Sequence, residues 1–400
     1  MNESMGGLQM KVGILTTFSN WSETYSLVNI VASQIRMLKN HGYEVVLFVN
    51  EDFNGKIDCE VRKVVPVFTY ENYSSISAVP DYLVDMLTKA FEENLKDIDI
   101  CFTHDLILQD SFLPHNLALR KVNLPIIWRH WIHSQPNNVK LNNIPEGHKI
   151  VFLNYADRLP VAERYNTWMD NVEIVYNSVE PHVMSKSNIT DSVSKIFEGK
   201  DVRIGYAFCT TRMGAKGVDK LLKLAGKIKK NGKSVGICLI NSNANAEKDK
   251  IALRGMIDYA NKQSLTEEDF VFTSTIDPSY ECGLPNKVTR DVFEMANLFI
   301  FPTISECCSL VLLEAMSAGN LLVLNGDIDS MKEFGGFDSA LFMKFGSIWN
   351  KTGYSNEEAY YNDWSKIIIR QLNTDMRDKA KERAKMFSEE SVWKQLQKIL

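Results

Sequence analysis

The sequence lacks the features that mark membrane, secreted and zinc-bound proteins. No run of about 18 apolar residues occurs, which predicts no membrane-spanning helix and no stable membrane insertion. The first ten residues hold no basic region followed by an apolar stretch, so we expect no secretory signal. The seven cysteines form no C-x2-C pair, which disfavours a disulfide framework or a structural zinc site. Together these absences predict a cytoplasmic protein.

Positive charge is scarce in the first half of the chain. Residues 1–180 carry 15 Lys or Arg against 22 Asp or Glu, a net charge of −7, whereas the remaining residues carry +2. An acidic surface repels nucleic-acid backbones and anionic lipid headgroups alike. We therefore expect this half to bind a small molecule, a glycan or a protein ahead of DNA, which a local basic patch would still allow.

Apolar segments alternate with helical patterns along the chain. The alternation runs over residues 11–175 and resumes at Val202, which predicts an α/β protein with two doubly wound parallel sheets. The polar stretch 178–200, rich in Ser and Asn, is interpreted as the linker between them. The charged segment 357–400 is predicted to be helical.

Two carboxylates eight residues apart, Glu306 and Glu314, are the most informative pair. Residues 299–303 are predicted to form a buried strand and 310–317 a helix, with Glu314 about two turns inside it. The intervening turn then lies at the carboxyl edge of a parallel sheet, where such sheets bind ligands. Glu314 would accept hydrogen bonds from ribose hydroxyls, and Glu306 from a sugar. Free amides at the helix start would suit a phosphate, namely those of Cys308, Ser309 and Leu310.

A pair of cations, Arg212 and Lys216, precedes the first helix of the second predicted domain. They are four residues apart, so on a helical turn they share one face. A cation is unfavourable at a helix N-terminus, so the pair favours an anionic ligand such as a diphosphate. The alternative is two surface cations without a ligand.

Histidines follow two predicted strands of the first domain. His104 and Asp105 come directly after the strand 98–102, at the expected carboxyl edge of the sheet. A structural histidine and a helix N-cap aspartate are the alternatives for these two residues. His130 and His133 follow the next strand, where binding of an acceptor and packing beneath the cleft are equally open.

The Glu-x7-Glu spacing, followed by Ala315 and Gly319, resembles that of the retaining nucleotide-sugar glycosyltransferases of family 4. Three further segments are similar to family motifs: 209–228 to its Arg…Lys-Gly segment, 174–181 to its Tyr-Asn stretch, and 102–106 to its His-acidic pair. The resemblance implies the GT-B fold, with two Rossmann-like domains facing across a cleft. It implies an acceptor domain at 1–180, a donor domain at 181–384, and a crossover helix at 385–400 that packs on the first domain.

The same resemblance implies a retaining transferase that moves a sugar from a nucleotide-sugar, with a UDP-sugar favoured. It assigns catalytic roles to His104, Arg212 and Lys216, and a place near the acceptor to Asp105. No cofactor beyond the donor substrate is implied. No metal is expected either, because Asp97-Ile-Asp99 is interpreted as a strand start and Asp327-Ile-Asp329 as a helix cap.

Two other functions stay open. The segments HWIHS, YNSVEP and TTRMGAKG are distantly similar to the DNA α-glucosyltransferases of T-even phages, which modify hydroxymethylated bases. A catalytically inactive nucleotide-sugar binder is the third possibility. The chain also departs from family 4, because residues 16–26 lack its usual glycine pair.

Overall fold

The computed structural model describes residues 10–68, 71, 73–136, 139–182, 184, 187–350 and 353–400. Most of the segment on which the prediction of no secretory signal rests, residues 1–9, therefore lies outside the described residues. The chain divides into two compact units. The first runs to Tyr176 and takes in Val392–Leu400, and the second is Asn177–Ser391. In the described ranges, no helix is both long and apolar enough to cross a membrane.

The first unit is built on a seven-stranded sheet. Its strands are β1 (Lys11–Leu15), β2 (Glu44–Asn50), β3 (Glu60–Val65), β4 (Ile100–His104), β5 (Ile127–Trp131), β6 (Lys149–Phe152) and β7 (Val172–Ile174). Its helices are α1 (Ser26–Asn40), α2 (Asp81–Asn94), α3 (Leu113–Lys121) and α4 (Arg158–Arg164). All neighbours pair in parallel in the order β3-β2-β1-β4-β5-β6-β7. The central strands are apolar along almost their whole length because helices cover both faces of such a sheet.

The second unit repeats this plan with six strands. They are β8 (Val202–Cys209), β9 (Val235–Ser242), β10 (Phe270–Phe272), β11 (Leu298–Phe301), β12 (Leu321–Asn325) and β13 (Ala340–Met343). Its helices are α5 (Asn188–Phe197), α6 (Met213–Lys216), α7 (Val218–Lys230), α8 (Glu247–Lys262), α9 (Thr273–Ile276), α10 (Asn286–Met295), α11 (Leu310–Ser317), α12 (Asp329–Gly335), α13 (Glu357–Gln371) and α14 (Met376–Ala384). The order is β10-β9-β8-β11-β12-β13, again parallel throughout.

Each sheet reverses its strand order at one place. The reversal lies between β1 and β4 in the first sheet and between β8 and β11 in the second. Loops that leave two such strands run to opposite faces, which opens a crevice at their carboxyl ends where ligands bind. His104 ends β4, and the segment carrying Arg212 and Lys216 follows β8. The topology therefore puts predicted site residues at both reversals.

The stretch 178–200, interpreted as the linker between the two sheets, belongs to the second unit. Its second half forms α5, whose N-cap Ser187 makes a reciprocal capping box with Thr190. Its apolar side chains recur every four residues and are buried in the core of the second unit: Ile189, Val193 and Phe197. The polar residues between them concealed this short apolar stripe, and residues 183, 185 and 186 lie outside the described residues.

The C-terminal segment is helical as predicted. The last helix, α15 (Glu389–Leu396), begins in the second unit and ends in the first. Within the first unit, the ring of Trp393 stacks on His41 with centroids 3.7 Å apart, and the side chain of Gln395 accepts the amide of Tyr176 at 2.9 Å.

Candidate functional site

An ion pair joins a lysine to the turn that leads from β11 into α11. Residues 306–310 are called the 306–310 turn. Lys216 Nζ is 2.7 Å from Glu306 Oε2, and each side chain is more than four-fifths buried. The other Glu306 oxygen, Oε1, accepts the backbone N–H of Cys307 at 3.3 Å. The structure thus brings Lys216 and Glu306, 90 residues apart in sequence, into direct contact.

The position of Lys216 is fixed by the backbone around it. Its carbonyl accepts the hydroxyl of Tyr206 at 2.7 Å, and the carbonyl of Ala215 accepts the amide of Ile304 at 3.0 Å. Gly217 has φ +65°, and a Cβ there would lie 2.6 Å from the Pro302 carbonyl oxygen. Only glycine therefore allows the Lys216 turn to approach the end of β11 this closely.

Three backbone amides at the start of α11 have no hydrogen-bond acceptor among the described residues: those of Cys308, Ser309 and Leu310. The N-cap Ser309 does not satisfy them with its side chain. Unpaired amides at a helix N-terminus carry partial positive charge and suit a phosphate.

Glu314 lies inside the helix behind these amides. It is the fifth residue of α11, so it lies about one turn inside the helix and not the predicted two. Its Oε1 accepts Asn286 Nδ2 at 2.6 Å, whereas its buried Oε2 has no partner in the described part of the chain. Burial raises the carboxyl pKa to about 7, although the Asn286 hydrogen bond and nearby Arg290 oppose the shift. A free oxygen in a buried carboxyl group is an acceptor for a ligand hydroxyl.

Arg212 differs from Lys216 in its surroundings. It ends the 3-10 turn Thr210–Arg212 and is exposed. No ion pair within the described ranges includes its guanidinium. The two cations are therefore not equivalent: Lys216 is already held by Glu306, whereas Arg212 is available to an anion.

In the first unit, the buried His104 and the half-buried His133 form a pair at the carboxyl end of β4. His104 Nδ1 lies 2.9 Å from His133 Nε2, so one hydrogen is shared between them. The outer nitrogens, His104 Nε2 and His133 Nδ1, have no partner among the described residues. Burial lowers the pKa of both imidazoles, that of His104 well below its usual value. At neutral pH the pair is therefore uncharged.

Asp105 supports this pair. Its Oδ1 accepts the backbone N–H of His133 at 2.8 Å, and its own amide donates to the Trp131 carbonyl at 2.9 Å. It adopts φ +58°, in the left-handed region that Asp tolerates better than most residues. The carboxylate thus joins the ends of β4 and β5, and the alternative of a helix N-cap does not apply.

His130 is placed apart from the other site residues. It precedes Trp131 in β5, so the two side chains point to opposite faces of the sheet. Its Nδ1 lies 2.8 Å from Thr103 Oγ1, and its Nε2 lies 2.9 Å from His148 Nδ1. Its side chain is fully buried. Both ring nitrogens are engaged in these contacts, which leaves neither for binding an acceptor.

The two Asp-x-Asp patterns are occupied by protein partners. Asp97 pairs with Arg62 and Lys11, which hold the pKa of its carboxyl well below the usual range. Asp327 Oδ2 accepts the amide of Gly346 at 2.7 Å, and Asp329 pairs with Lys332 at 2.7 Å. Within the described ranges, no three His, Cys, Asp or Glu side chains group as metal ligands would.

Three further side chains contact the site, and two of them, Asn286 and Ser330, carried no signal in the sequence. Asn286 binds Glu314, Ser330 Oγ donates to the Glu306 carbonyl at 2.8 Å, and Asn177 Nδ2 donates to the Cys308 carbonyl at 2.8 Å. Only Asn177 lay in a segment similar to a family motif. Polar residues in loops are common, so the sequence does not show which of them pair, whereas the fold does.

Comparison with known proteins gives two contrasting results. No family model matches the chain, and no curated protein matches its sequence. Solved structures do match over nearly its whole length. A glycosyltransferase from Rickettsia africae ESF-5 has a TM-score of 0.65 at 11% identity, covering 98% of both chains. Sucrose-phosphate synthase from Thermosynechococcus elongatus has a TM-score of 0.67 at 13% identity, covering 98% of both chains.

Anabaena Alr3699/HepE, solved in complex with UDP, has a TM-score of 0.66 at 12% identity, covering 97% of this chain and 99% of its own. At these identities the similarity shows the fold. The protein has two parallel-sheet, Rossmann-like domains and the GT-B glycosyltransferase architecture, which confirms the predicted fold class.

Proposed function

We propose that the protein is a glycosyltransferase whose nucleotide-sugar donor binds at the carboxyl edge of β8 and β11. One observation carries the proposal: three amides and a buried carboxyl oxygen, all without a partner among the described residues, lie with a partly buried lysine at one turn and the helix that follows it. The amides and Lys216 match a diphosphate, and Glu314 matches the hydroxyls of a ribose.

Breaking the anomeric C–O bond of such a donor leaves a negatively charged diphosphate. Preorganised positive groups lower the barrier because that charge grows in the transition state. Lys216 supplies a fixed cation, and the exposed Arg212 supplies a second that can close on the phosphate. Glu306 has its Oε1 on the Cys307 amide and its Oε2 on Lys216, so it orients the lysine and presents a carboxylate to sugar hydroxyls.

The finer assignments follow from the resemblance and are proposed with it. We infer a UDP-linked donor, since family 4 favours UDP and a structure with this fold was solved with UDP. Retention of the anomeric configuration is proposed from the family alone. Activity without a metal is proposed because both Asp-x-Asp patterns are engaged by protein partners.

For the acceptor, we propose a small molecule, a glycan or a protein. The basic residues that the sequence places near the proposed acceptor strands are Arg120, Lys121 and Arg129. Arg120 binds Asn143, Lys121 pairs with Asp85, and Arg129 donates to the Ile399 carbonyl. These internal contacts, together with the negative charge of residues 1–180, oppose a nucleic-acid backbone. His104 keeps its proposed catalytic role, and His133 and Asp105 are the proposed acceptor-side residues.

Thermal-shift measurement against UDP-, GDP- and ADP-sugars tests the proposal. A ligand that binds the native state raises its apparent stability, by about 2.7 kcal/mol at 100 times the dissociation constant. We expect a UDP-sugar to give the largest shift and UDP release to follow. Stabilisation without UDP release or product would instead indicate an inactive binder, and no stabilisation by any donor would contradict the proposal. A glycosylated nucleoside, found after incubation with hydroxymethylcytosine DNA, would favour the phage-type activity.

A further inference from the structure

Two carbonyls of the 306–310 turn are held by side chains from other parts of the second unit. The Cys308 carbonyl accepts Asn177 Nδ2 at 2.8 Å, and the Glu306 carbonyl accepts Ser330 Oγ at 2.8 Å. Asn177 is 5% exposed and Ser330 is 1% exposed. Water therefore has little access to replace either bond. Both side chains approach the turn through its carbonyl oxygens.

A trans peptide unit points its C=O and the following N–H in opposite directions. The bond from Asn177 to the Cys308 carbonyl therefore fixes the direction of the Ser309 N–H. That N–H is one of the three amides without an acceptor in the described part of the chain. In the same way, Ser330 fixes the peptide unit that presents the Cys307 N–H to the Glu306 carboxylate.

Without these two bonds, either peptide unit could rotate. A rotated 308–309 unit would direct a carbonyl oxygen, with its partial negative charge, toward the place where the amide now points. For an anionic ligand, that exchange replaces an attraction by a repulsion. The orientation of this peptide unit therefore decides whether the turn attracts or repels a phosphate.

From these contacts we infer that Asn177 and Ser330 are positioning residues for the diphosphate of the donor, acting through the peptide units of the 306–310 turn. The inference rests on the proposed donor site and adds two residues that do not themselves contact the ligand. It also gives a reason for the Asn that directly follows Tyr176, the last residue of the first unit before the chain crosses to the second.

A purely structural role predicts a different outcome, and Asn320 offers a matched comparison. It is a buried asparagine of the same unit, and its Nδ2 donates to the Ala315 carbonyl of α11 at 3.1 Å and to the Phe293 carbonyl of α10 at 2.9 Å. These bonds stabilise the C-terminal halves of the two helices and do not involve the 306–310 turn. Asn177→Leu and Asn320→Leu therefore both remove bonds from a buried amide to backbone carbonyls, in the first case before α11 and in the second near its C-terminal end.

The test measures the affinities of the full-length protein for UDP by calorimetry and for uridine by competition. We expect Asn177→Leu to weaken UDP binding about tenfold, because one charge-assisted amide bond is misdirected. Uridine has no phosphate, so its affinity should change less than about twofold. Asn320→Leu should lower the melting temperature and leave the ratio of the two affinities unchanged.

Ser330→Ala removes only a hydroxyl and provides the answer if Asn177→Leu does not fold. It should shift the affinity ratio in the same direction as Asn177→Leu. An unchanged ratio in every folded variant of these two residues, with UDP still bound, would overturn the inference and leave the proposed function standing. Absence of UDP binding by the wild-type protein would instead overturn the UDP-linked donor site itself.

Discussion

The two sheets share one plan, but their carboxyl edges carry different chemistry. At the β1–β4 reversal the structure pairs His104 with His133, and the pKa values of both imidazoles are lowered. At the β8–β11 reversal it collects Lys216, amides without an acceptor among the described residues and the Glu314 carboxyl, whose pKa is raised. The fold therefore supplies the place of each site, whereas the side chains supply the charge that selects its ligand.

The largest expected effect comes from removing the fixed cation. Lys216→Ala should lower turnover about 100-fold or more at saturating donor, because the role proposed for this lysine is to stabilise charge that grows in the transition state. The measurement is the rate of UDP release from the donor found by thermal shift. Lys220→Ala is the control, since that lysine donates to the Phe345 carbonyl away from the turn. Wild-type turnover of Lys216→Ala would move the diphosphate elsewhere.

Glu314→Gln should have the next largest effect, on binding. An amide loses the charge that accepts both ribose hydroxyls, so UDP affinity should fall about 10-fold to 100-fold. With uridine as the ligand, wild-type affinity should rise as the pH increases through about 7, where the carboxyl ionises. The variant should lack this rise. Calorimetry at pH 6 and pH 8 measures both, and equal affinities for the two proteins would exclude Glu314 from the ribose site.

The same substitution should also change how the stability of the protein depends on pH. Rising pH favours uridine binding by the wild-type protein but lowers its stability. The folded protein keeps the Glu314 proton up to about pH 7, whereas the unfolded chain releases it near the ordinary glutamate pKa of 4.5. Wild-type stability should therefore fall as the pH rises from 4.5 to 7, by about 3 kcal/mol at most. Glu314→Gln should not show this fall. Urea unfolding across this range measures the difference, and parallel curves for the two proteins would show that the carboxyl does not titrate there.

The sequence predicted the strands and helices that surround the site, because such elements are recognised by their apolar periodicity. The bounds of α11 were predicted residue for residue, and Lys216 and Glu306 were assigned to one function before their contact was known. The edge strands β3 and β13 were not predicted: β3, EVRKVV, is interrupted by charged residues, and β13, ALFM, is only four residues long. The roles of Asn177 and Asn286 depend on contacts 131 and 28 residues away, which no local pattern encodes.

In the first unit, stability should change with pH in the reverse direction and by less. Burial lowers the pKa of His148 to about 4, so the folded state stays neutral while the unfolded chain binds a proton below about 6.5. Stability should therefore fall as the pH drops from 6.5 to 4, by about 1–2 kcal/mol because the ring is only partly buried. Trp128, with its ring centroid 5.6 Å from that of His148, is a local fluorescence reporter of unfolding.

His148→Gln keeps a hydrogen-bonding group opposite His130 and removes the titration. Its unfolding free energy should depend less on pH than that of the wild-type protein between pH 6.5 and 4. A dependence as steep as that of the wild type would assign the acid sensitivity to other histidines of this unit, such as His130, whose pKa is also lowered by burial.

The smallest expected effect is that of metal removal. A divalent cation would serve the diphosphate only if carboxylates could hold it beside the 306–310 turn, but Glu306 is paired with Lys216. Asp327 and Asp329 are held by Gly346 and Lys332. Lysine and helix amides already supply positive charge, so EDTA should change the rate of UDP release by less than about twofold. Loss of activity in EDTA, restored by magnesium or manganese and not by calcium, would show that this edge needs a metal and that its cations alone do not suffice.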